Sequence, residues 1–264
     1  MKINIASNEV IHFIGIGGIG MSGLAQIMNN MGFAVQGSDL NKNKNTERLT
    51  KLGIKVYYGH HKRNLKKATL IVISSAVKKN NKELKSARFK KMSVFRRGDM
   101  LANIVALKKN IIIAGSHGKT TTTSLVANIL VEAGLDPTVI NGGVINSLKN
   151  TAQLGKGEWA VIESDESDGS FLKLPITYSI VTNVDKEHLD FYGSFKKLKK
   201  SFCSFIEKTP SFGKSLICID DKNLKNLLSK CKTSNFLTYG FDNKANYQII
   251  NVRKKSNHSI FDMK

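Results

Sequence analysis

Ile111-Ile112-Ile113-Ala114-Gly115-Ser116-His117-Gly118-Lys119-Thr120-Thr121-Thr122-Thr123-Ser124 is the stretch that decides the fold. A short apolar run ahead of a glycine turn reads as a buried parallel strand. After Lys119, Leu125, Val126, Ile129 and Leu130 recur at helical spacing, so a helix is expected to start near Gly118. The N–H groups of such a turn and the positive end of the helix dipole face one point, which suits a phosphate. Lys119 is placed to reach terminal phosphates, and the Thr120 hydroxyl to ligate magnesium. The phosphate-loop pattern is incomplete, because Ile113 stands where its first glycine belongs and only Gly115-x-x-Gly118-Lys119-Thr120 remains. The bland alternative is a glycine turn with a surface lysine. A strand before, a helix after and Gly-Lys-Thr together argue for a nucleoside triphosphate.

Upstream, Val10-Ile11-His12-Phe13-Ile14 reads as another buried strand. It enters Gly15-Ile16-Gly17-Gly18-Ile19-Gly20, and Leu24, Ile27, Met28 and Met31 then follow at helical spacing to Gly32. This is G-x-G-x-x-G at Gly15, Gly17 and Gly20 in its strand–turn–helix setting. A second strand from Phe33 ends at Ser38-Asp39, and an acid at that distance is the ribose-binding feature of a dinucleotide site. The motif says that a diphosphate is cradled. NAD, FAD and a UDP-sugar all carry one. Short strands are expected at Lys55–Tyr58, Leu70–Ile73 and from Val94, and helices at Glu47–Leu52, Lys82–Lys90 (a basic, solvated face) and Met100–Leu107, the last capped by Asp99. Ser74 and Ser75, at a strand's carboxyl end, are candidate contacts.

Downstream, Thr138-Val139-Ile140 is read as a strand, with Asn141-Gly142-Gly143 as a turn able to approach a ligand. Trp159-Ala160-Val161-Ile162 delivers Glu163-Ser164-Asp165-Glu166-Ser167-Asp168 at its carboxyl end. Glu163, the first acid after that strand, is the natural magnesium ligand. Tyr178-Ser179-Ile180-Val181 ends in Thr182-Asn183-Val184-Asp185-Lys186-Glu187-His188-Leu189-Asp190. There His188 can serve as a metal ligand or an acid/base, oriented by Asp190. Phe195 to Ile206 is an amphipathic helix whose aromatic stripe reads as core. Strands at Ser215–Ile219 and Phe236–Gly240 flank a helix capped by Asp220-Asp221, and a hairpin closes the sequence around Lys254-Lys255-Ser256-Asn257.

The 264 residues are enough for two domains. Lys+Arg total 41 against 20 Asp+Glu, a net charge of +21. The lysines lie in short clusters without interleaved aromatics, so the charge reads as a solvated surface and no nucleic-acid partner is expected. Three cysteines without metal spacing, odd in number, argue against a disulfide framework and for a reducing cytoplasm. No apolar signal core or run of membrane-spanning length is present in the sequence, so no membrane partner is expected.

Four motifs in order, Ile11–Gly23, Gly115–Thr121, Glu163–Asp168 and Thr182–Asp190, resemble those of the Mur ligases, the ATP-dependent amide-bond ligases of peptidoglycan synthesis. The resemblance covers nearly the whole chain. Ser116, where threonine is more usual, departs mildly. It implies an α/β protein: an N-terminal Rossmann-like parallel-sheet domain, residues 1–107, followed by a P-loop-type ATPase domain, residues 108–264. The family's third, C-terminal domain is absent from the sequence, which therefore reads as C-terminally truncated. The implied UDP-sugar contacts are Gly15, Gly17, Gly18, Gly20, Asp39 and Ser74. The implied ATP contacts are Gly115, Ser116, His117, Gly118, Lys119, Thr120 and Thr121. Catalysis would fall to Lys119, Glu163 and His188, with one Mg2+ held by Thr120 and Glu163 and a second by His188. The implied reaction joins L-alanine to UDP-N-acetylmuramate through an acyl phosphate.

Three other readings compete. A related ligase would join a ready-made murein tripeptide to the same sugar. A nicotinamide dehydrogenase explains the first fingerprint and leaves Gly118-Lys119-Thr120 and the acidic strand ends without a role. A non-catalytic nucleotide-binding module would bind without turnover.

Overall fold

The computed structural model describes residues 9–145, 150–256 and 258–264. The chain opens as an alternation: β1 (Val10–Ile14), α1 (Ile19–Asn30), β2 (Ala34–Asp39), α2 (Lys44–Lys51), β3 (Lys55–Tyr58), β4 (Leu70–Ile73), α3 (Lys82–Phe89), β5 (Ser93–Arg96) and α4 (Arg97–Val105). It continues with β6 (Lys109–Ala114), α5 (Lys119–Glu132), β7 (Thr138–Ile145), β8 (Asn150–Gln153), β9 (Trp159–Glu163) and β10 (Tyr178–Val181). It ends with α6 (Leu189–Tyr192), α7 (Phe195–Glu207), β11 (Ser215–Cys218), α8 (Lys222–Leu228), β12 (Phe236–Gly240), β13 (Tyr247–Lys254) and β14 (Ser259–Met263). The chain forms two compact units. One is the chain up to Lys109 with Ser124–Val161, the other Asn110–Thr123 with Ile162–Lys264.

In the first unit β1 to β5 form a parallel sheet in the order β3-β2-β1-β4-β5. The chain steps outward from β1 to β3, then crosses to β4 on the other side. The switch point therefore lies between β1 and β4, and the segments leaving those two carboxyl ends begin with Gly15 and Ser74. Ile11, Phe13 and Ile14 of β1 are fully buried, as a strand covered on both faces requires. His12, between them, is also fully buried and therefore needs polar partners. The antiparallel pair β7–β8 packs on α1, where Gln26 Nε2 donates to the Ala152 carbonyl at 3.3 Å.

In the second unit the sheet runs β14-β13-β12-β11-β10-β6. It is parallel as far as β13, and β14 returns antiparallel, completing the expected hairpin. The stripe on α7 is core: Phe202 and Phe205 are buried against Phe171, ring centroids 5.3 and 5.2 Å apart. Truncating either to alanine would cost about 3–5 kcal/mol.

Several local expectations are corrected. α2 starts at Lys44, because Asn43 caps it in a reciprocal box with Thr46. Asp99 lies inside the first turn of α4, whose N-cap, Arg96, makes no side-chain cap bond. Asn141, Gly142 and Gly143 are part of β7, not a turn. On α5 the periodic Leu125 and Ile129 are 59% and 66% exposed, since a helical period marks a face without saying what covers it. The helix from Lys82 is not simply a solvated face: Glu83, Leu84 and Ala87 are buried. Finally, Cys203 and Cys231 pair as a disulfide with Cα atoms 5.4 Å apart, leaving Cys218 free. An odd cysteine count excludes complete pairing, not one bridge.

Candidate functional site

Two sites emerge, one in each unit. In the first, the turn after β1 opens a cavity of about 570 Å3 lined by Gly15, Gly17, Gly18, Asp39, Asn43, His60 and Ser74 among others. Asp39, ending β2, accepts a hydrogen bond from the Gly17 N–H at 2.7 Å. Asn45 Nδ2 donates to the Gly17 carbonyl at 2.9 Å, so the turn is held from both sides. A Cβ at Gly17 would stand 2.7 Å from Asn43 Nδ2 and 2.9 Å from Asp39 Oδ2, so a larger residue there would displace both side chains. Of the six residues expected around a UDP-sugar, five line this cavity. Gly20 does not. It lies in α1, where a Cβ would meet the Arg97 guanidinium at 2.9 Å.

Behind the cavity wall sits a network the sequence did not announce. Glu83 is fully buried. Its Oε2 accepts from Ser38 Oγ at 2.5 Å and lies 3.3 Å from both His12 Nε2 and His60 Nδ1. Its Oε1 accepts from Asn64 Nδ2 at 2.6 Å. Burial pushes this carboxyl's pKa up, but hydrogen bonds from His12, Ser38 and Asn64 outweigh it and hold the group below the ordinary carboxylate range.

In the second unit, β6 delivers Gly115, Ser116, His117 and Gly118 to the start of α5. Gly115 has φ +143°, and a Cβ there would run into Thr182 Oγ1, so only glycine suits. The segment after β10 clasps the loop. Thr182 Oγ1 and Asn183 Nδ2 donate to the His117 carbonyl at 2.7 and 2.9 Å, and the His117 N–H donates to Asn183 Oδ1 at 2.7 Å. The Asp185 N–H donates to Ser116 Oγ at 2.8 Å. The His117 ring lies 3.6 Å from Asp185 Oδ2 and 3.8 Å from Glu187 Oε1. Thr121 is exposed on the first turn of α5.

Thr120 Oγ1 donates to the Glu163 carboxylate at 3.0 and 3.1 Å. Glu163 is positioned because Ser164 anchors the end of β9, its N–H and Oγ both donating to the Ile113 carbonyl at 2.9 and 2.8 Å. Lys119 curls back: Nζ donates to the Gly115 carbonyl at 2.5 Å, the Ser116 carbonyl at 3.2 Å and Glu166 Oε1 at 2.8 Å. His188, in the left-handed conformation at φ 54° ahead of α6, sets Nε2 3.6 Å from the same Glu166 oxygen. The structure thus joins His188 to Glu166, not to Asp190.

Glu166 is the functional candidate that the sequence placed only in an acidic cluster. Its side chain is 3% exposed, and among the described residues its Oε2 has no hydrogen-bond partner. Burial raises its pKa, the hydrogen bond and charge of Lys119 pull back, and the net direction is up. Tyr192 Oη donates to its carbonyl at 2.5 Å, and burial together with the charges of Glu166, Asp168 and Asp165 keeps that hydroxyl protonated. Glu166, Glu187 and His188 bring ligand atoms within 4.8 Å of one another. A carboxylate oxygen without a donor among the described residues, beside a second carboxylate and an imidazole, fits a hard divalent cation.

The descriptions "Mur ligase family, catalytic domain" and "Mur ligase middle domain" match residues 10–109 and 113–264. The UDP-N-acetylmuramate–L-alanine ligase of Pelagibacter ubique is 60% identical over 263 residues, covering 100% of this chain and 57% of its own length. That of Parvibaculum lavamentivorans is 51% identical, covering 96% and 52%. Among solved structures, the UDP-N-acetylmuramate–alanine ligase of Thermotoga maritima superposes with TM-score 0.84 at 29% identity, covering 96% of this chain and 57% of that one. The UDP-N-acetylmuramate:L-alanyl-gamma-D-glutamyl-meso-diaminopimelate ligase of Neisseria meningitides reaches 0.87 at 26% identity, covering 97% and 84%. The chain spans little more than half the length of the two alanine-ligase relatives.

Proposed function

We propose, because this chain belongs to the Mur ligase family, that it carries the UDP-sugar and ATP sites of an enzyme that joins L-alanine to UDP-N-acetylmuramate in peptidoglycan synthesis. The observation that carries this reading is the convergence of Lys119, Thr120, Glu163, Glu166 and His188 on one phosphate loop. The 60% and 51% identical relatives support L-alanine as the amine. The similarity to a murein tripeptide ligase, at TM-score 0.87, keeps that acceptor as the second reading. A domain boundary near Lys108 and cytoplasmic action belong to the same proposal. Among the described residues no helix is long and apolar enough to cross a membrane.

The residues fit Mg2+: Thr120 and Glu163 offer hard oxygens, Glu166 an oxygen without a donor among the described residues, and His188 a nitrogen. Magnesium held by Thr120 and Glu163, and a second held by His188, would supply charge neutralisation on phosphoryl oxygens. The N–H groups from Gly115 to Gly118 and the start of α5 would cradle ATP phosphates. Lys119 would leave Glu166 and the loop carbonyls for the transferring phosphoryl group, offsetting the charge that develops there. The lactyl carboxylate of the sugar attacks the γ-phosphorus, giving an acyl phosphate and ADP. The L-alanine amine then attacks the acyl carbon, forming the amide and releasing phosphate. The turn from Gly15 to Gly18 with Asp39, Asn43 and Ser74 would hold and orient the UDP-sugar.

Thermal shifts of this chain with UDP-N-acetylmuramate, Mg-ATP and NAD, each alone, test the reading. Stabilisation by the first two and not by NAD is expected. Stabilisation by NAD alone overturns it.

A further inference from the structure

We propose that Glu83 is a positioning residue of the UDP-sugar cavity: through Ser38 it fixes the His60 imidazole with Nδ1–H turned inward and Nε2 given to the ligand. The inference rests on the UDP-sugar reading of that cavity, which His60 lines. It goes beyond that reading in assigning a role to a buried side chain that does not line the cavity.

The proton count carries it. A carboxylate can only accept, so each neighbour of Glu83 must spend a proton on it. Ser38 has one hydroxyl proton, and the 2.5 Å contact to Glu83 Oε2 takes it. Ser38 Oγ is then an acceptor toward His60 Nδ1 at 2.9 Å, and Glu83 Oε2, 3.3 Å from the same nitrogen, is an acceptor too. His60 Nδ1 must therefore carry hydrogen. In the neutral ring that leaves Nε2 as an acceptor on a residue that lines the cavity. The other neighbours lock the carboxylate in place. Gln36 Nε2 lies 3.2 Å from His12 Nδ1 and donates to the Asn64 carbonyl at 2.9 Å. His12 Nε2 thus holds the proton given to Glu83. Asn64 Nδ2 is shared between Glu83 Oε1 and the Gly59 carbonyl, the residue next to His60, at 2.6 and 3.0 Å. Glu83 itself is carried to this point by Asn81, which caps α3 by accepting from the Glu83 and Leu84 N–H groups at 2.9 and 3.0 Å.

The burial is too costly to be incidental. A carboxylate with no exposure and no binding role would be replaced by an apolar residue at little loss. Here its Oε2 lies 3.3 Å from His60, which both touches the network and lines the cavity.

Two measurements test the assignment. Nitrogen-15 NMR of the His60 ring in mildly alkaline buffer, with His60→Gln for assignment, should report the Nδ1–H tautomer in the wild type. Glu83→Gln should shift it toward Nε2–H. In parallel, calorimetry with UDP-N-acetylmuramate should show about tenfold weaker binding by Glu83→Gln. That loss should vanish when the same change is made in a His60→Ala background. A tautomer unchanged by Glu83→Gln overturns the proposal whatever the ligand does. So does a tenfold loss that persists without His60, the mark of a merely structural role. Absence of binding by the wild type, with the tautomer shift present, overturns the UDP-sugar reading and leaves the positioning standing. Should Glu83→Gln not fold, Ser38→Ala removes the nearer acceptor of His60 Nδ1, at 2.9 Å, and leaves only Glu83 Oε2 at 3.3 Å; the Nδ1–H fraction should fall, and an unchanged fraction overturns the role given to Ser38.

Discussion

The turn after β1 and the turn after β6 are built alike and finished differently. Each leaves a buried parallel strand, relies on glycine where a side chain would collide, and opens a helix. Around the first turn the polar groups are consumed. Asp39 takes the Gly17 N–H, and both oxygens of the buried Glu83 accept hydrogen bonds. Around the second, carboxylates hold one another's partners in reserve. Thr120 leans on Glu163, Lys119 is drawn back onto Glu166, and one Glu166 oxygen has no donor among the described residues. A site with its hydrogen bonds closed is shaped before the ligand arrives. A site with a raised carboxyl and a folded-back lysine has the chemistry the proposed function asks for, a place for a cation beside an anion.

Lys119→Ala breaks that contrast most severely. Lys119 is 16% exposed and Glu166 3%, so removing the lysine strands a buried carboxylate at a cost of about 3–5 kcal/mol. Urea denaturation should show this loss, and calorimetry should find Mg-ATP binding weakened by roughly a hundredfold or more. UDP-N-acetylmuramate binding should survive. Adding Glu166→Gln should recover most of the stability and none of the ATP binding. If UDP-sugar binding falls equally on a folded Lys119→Ala protein, the assignment of two sites fails.

The disulfide sharpens the comparison differently, since all three cysteines lie in the second unit. Closing a loop between positions 28 apart should stabilise the oxidised chain by about 3.5 kcal/mol relative to Cys231→Ser. Dithiothreitol should abolish the difference. Thiol titration should find one reactive group, Cys218, before reduction. Inside a reducing cytoplasm the pair would be held as thiols, so this stabilisation belongs to oxidising conditions.

Acid should separate the two buried carboxyls. The folded pKa of Glu83 lies below the unfolded value of 4.5, so its contribution is present above 4.5 and lost as pH falls through the folded value. The folded pKa of Glu166 lies above 4.5, so its charge costs stability at neutral pH, and that cost is relieved as pH falls toward 4.5. Thermal melts from pH 7 downward, each wild-type curve set against its glutamine variant, should therefore move in opposite senses. Parallel behaviour would mean the two carboxyls are not held differently.

What could be read from sequence was local. Strand, glycine turn and helix stand next to one another in the chain, so both turns, Lys119, Glu163 and Asp39 were legible. Glu83 was not, because its partners are 71, 45 and 19 positions away and its own helix, Lys-Glu-Leu-Lys-Ser-Ala-Arg-Phe, has the composition of an exposed face. Glu166 was visible only as one acid among several. What distinguishes it is burial beside Lys119, 47 positions earlier, and no spacing rule encodes that. The exposed Leu125 and Ile129 mark the converse limit, an apolar period with nothing over it among the described residues.

The smallest effect probes how the first turn is kept closed. Asn43 has two tasks there. Its Oδ1 accepts from the Asn45 and Thr46 N–H groups at 2.9 and 3.0 Å, capping α2, and its Nδ2 lies 3.4 Å from the Gly17 carbonyl. Asn43→Ala loses both and should cost about 1 kcal/mol of stability, mostly through the cap. Asn43→Asp keeps the cap acceptor but sets a second carboxylate near Asp39, in the cavity proposed to hold the UDP-sugar diphosphate. The two variants should therefore part ways. Alanine should lower the melting temperature with little change in UDP-N-acetylmuramate affinity. Aspartate should leave the melting temperature nearly intact and weaken binding several-fold, an effect that added salt reduces. Equal affinity in both variants would mean that the polar closure of this turn serves the fold alone, and the contrast with the turn after β6 would lose its functional meaning.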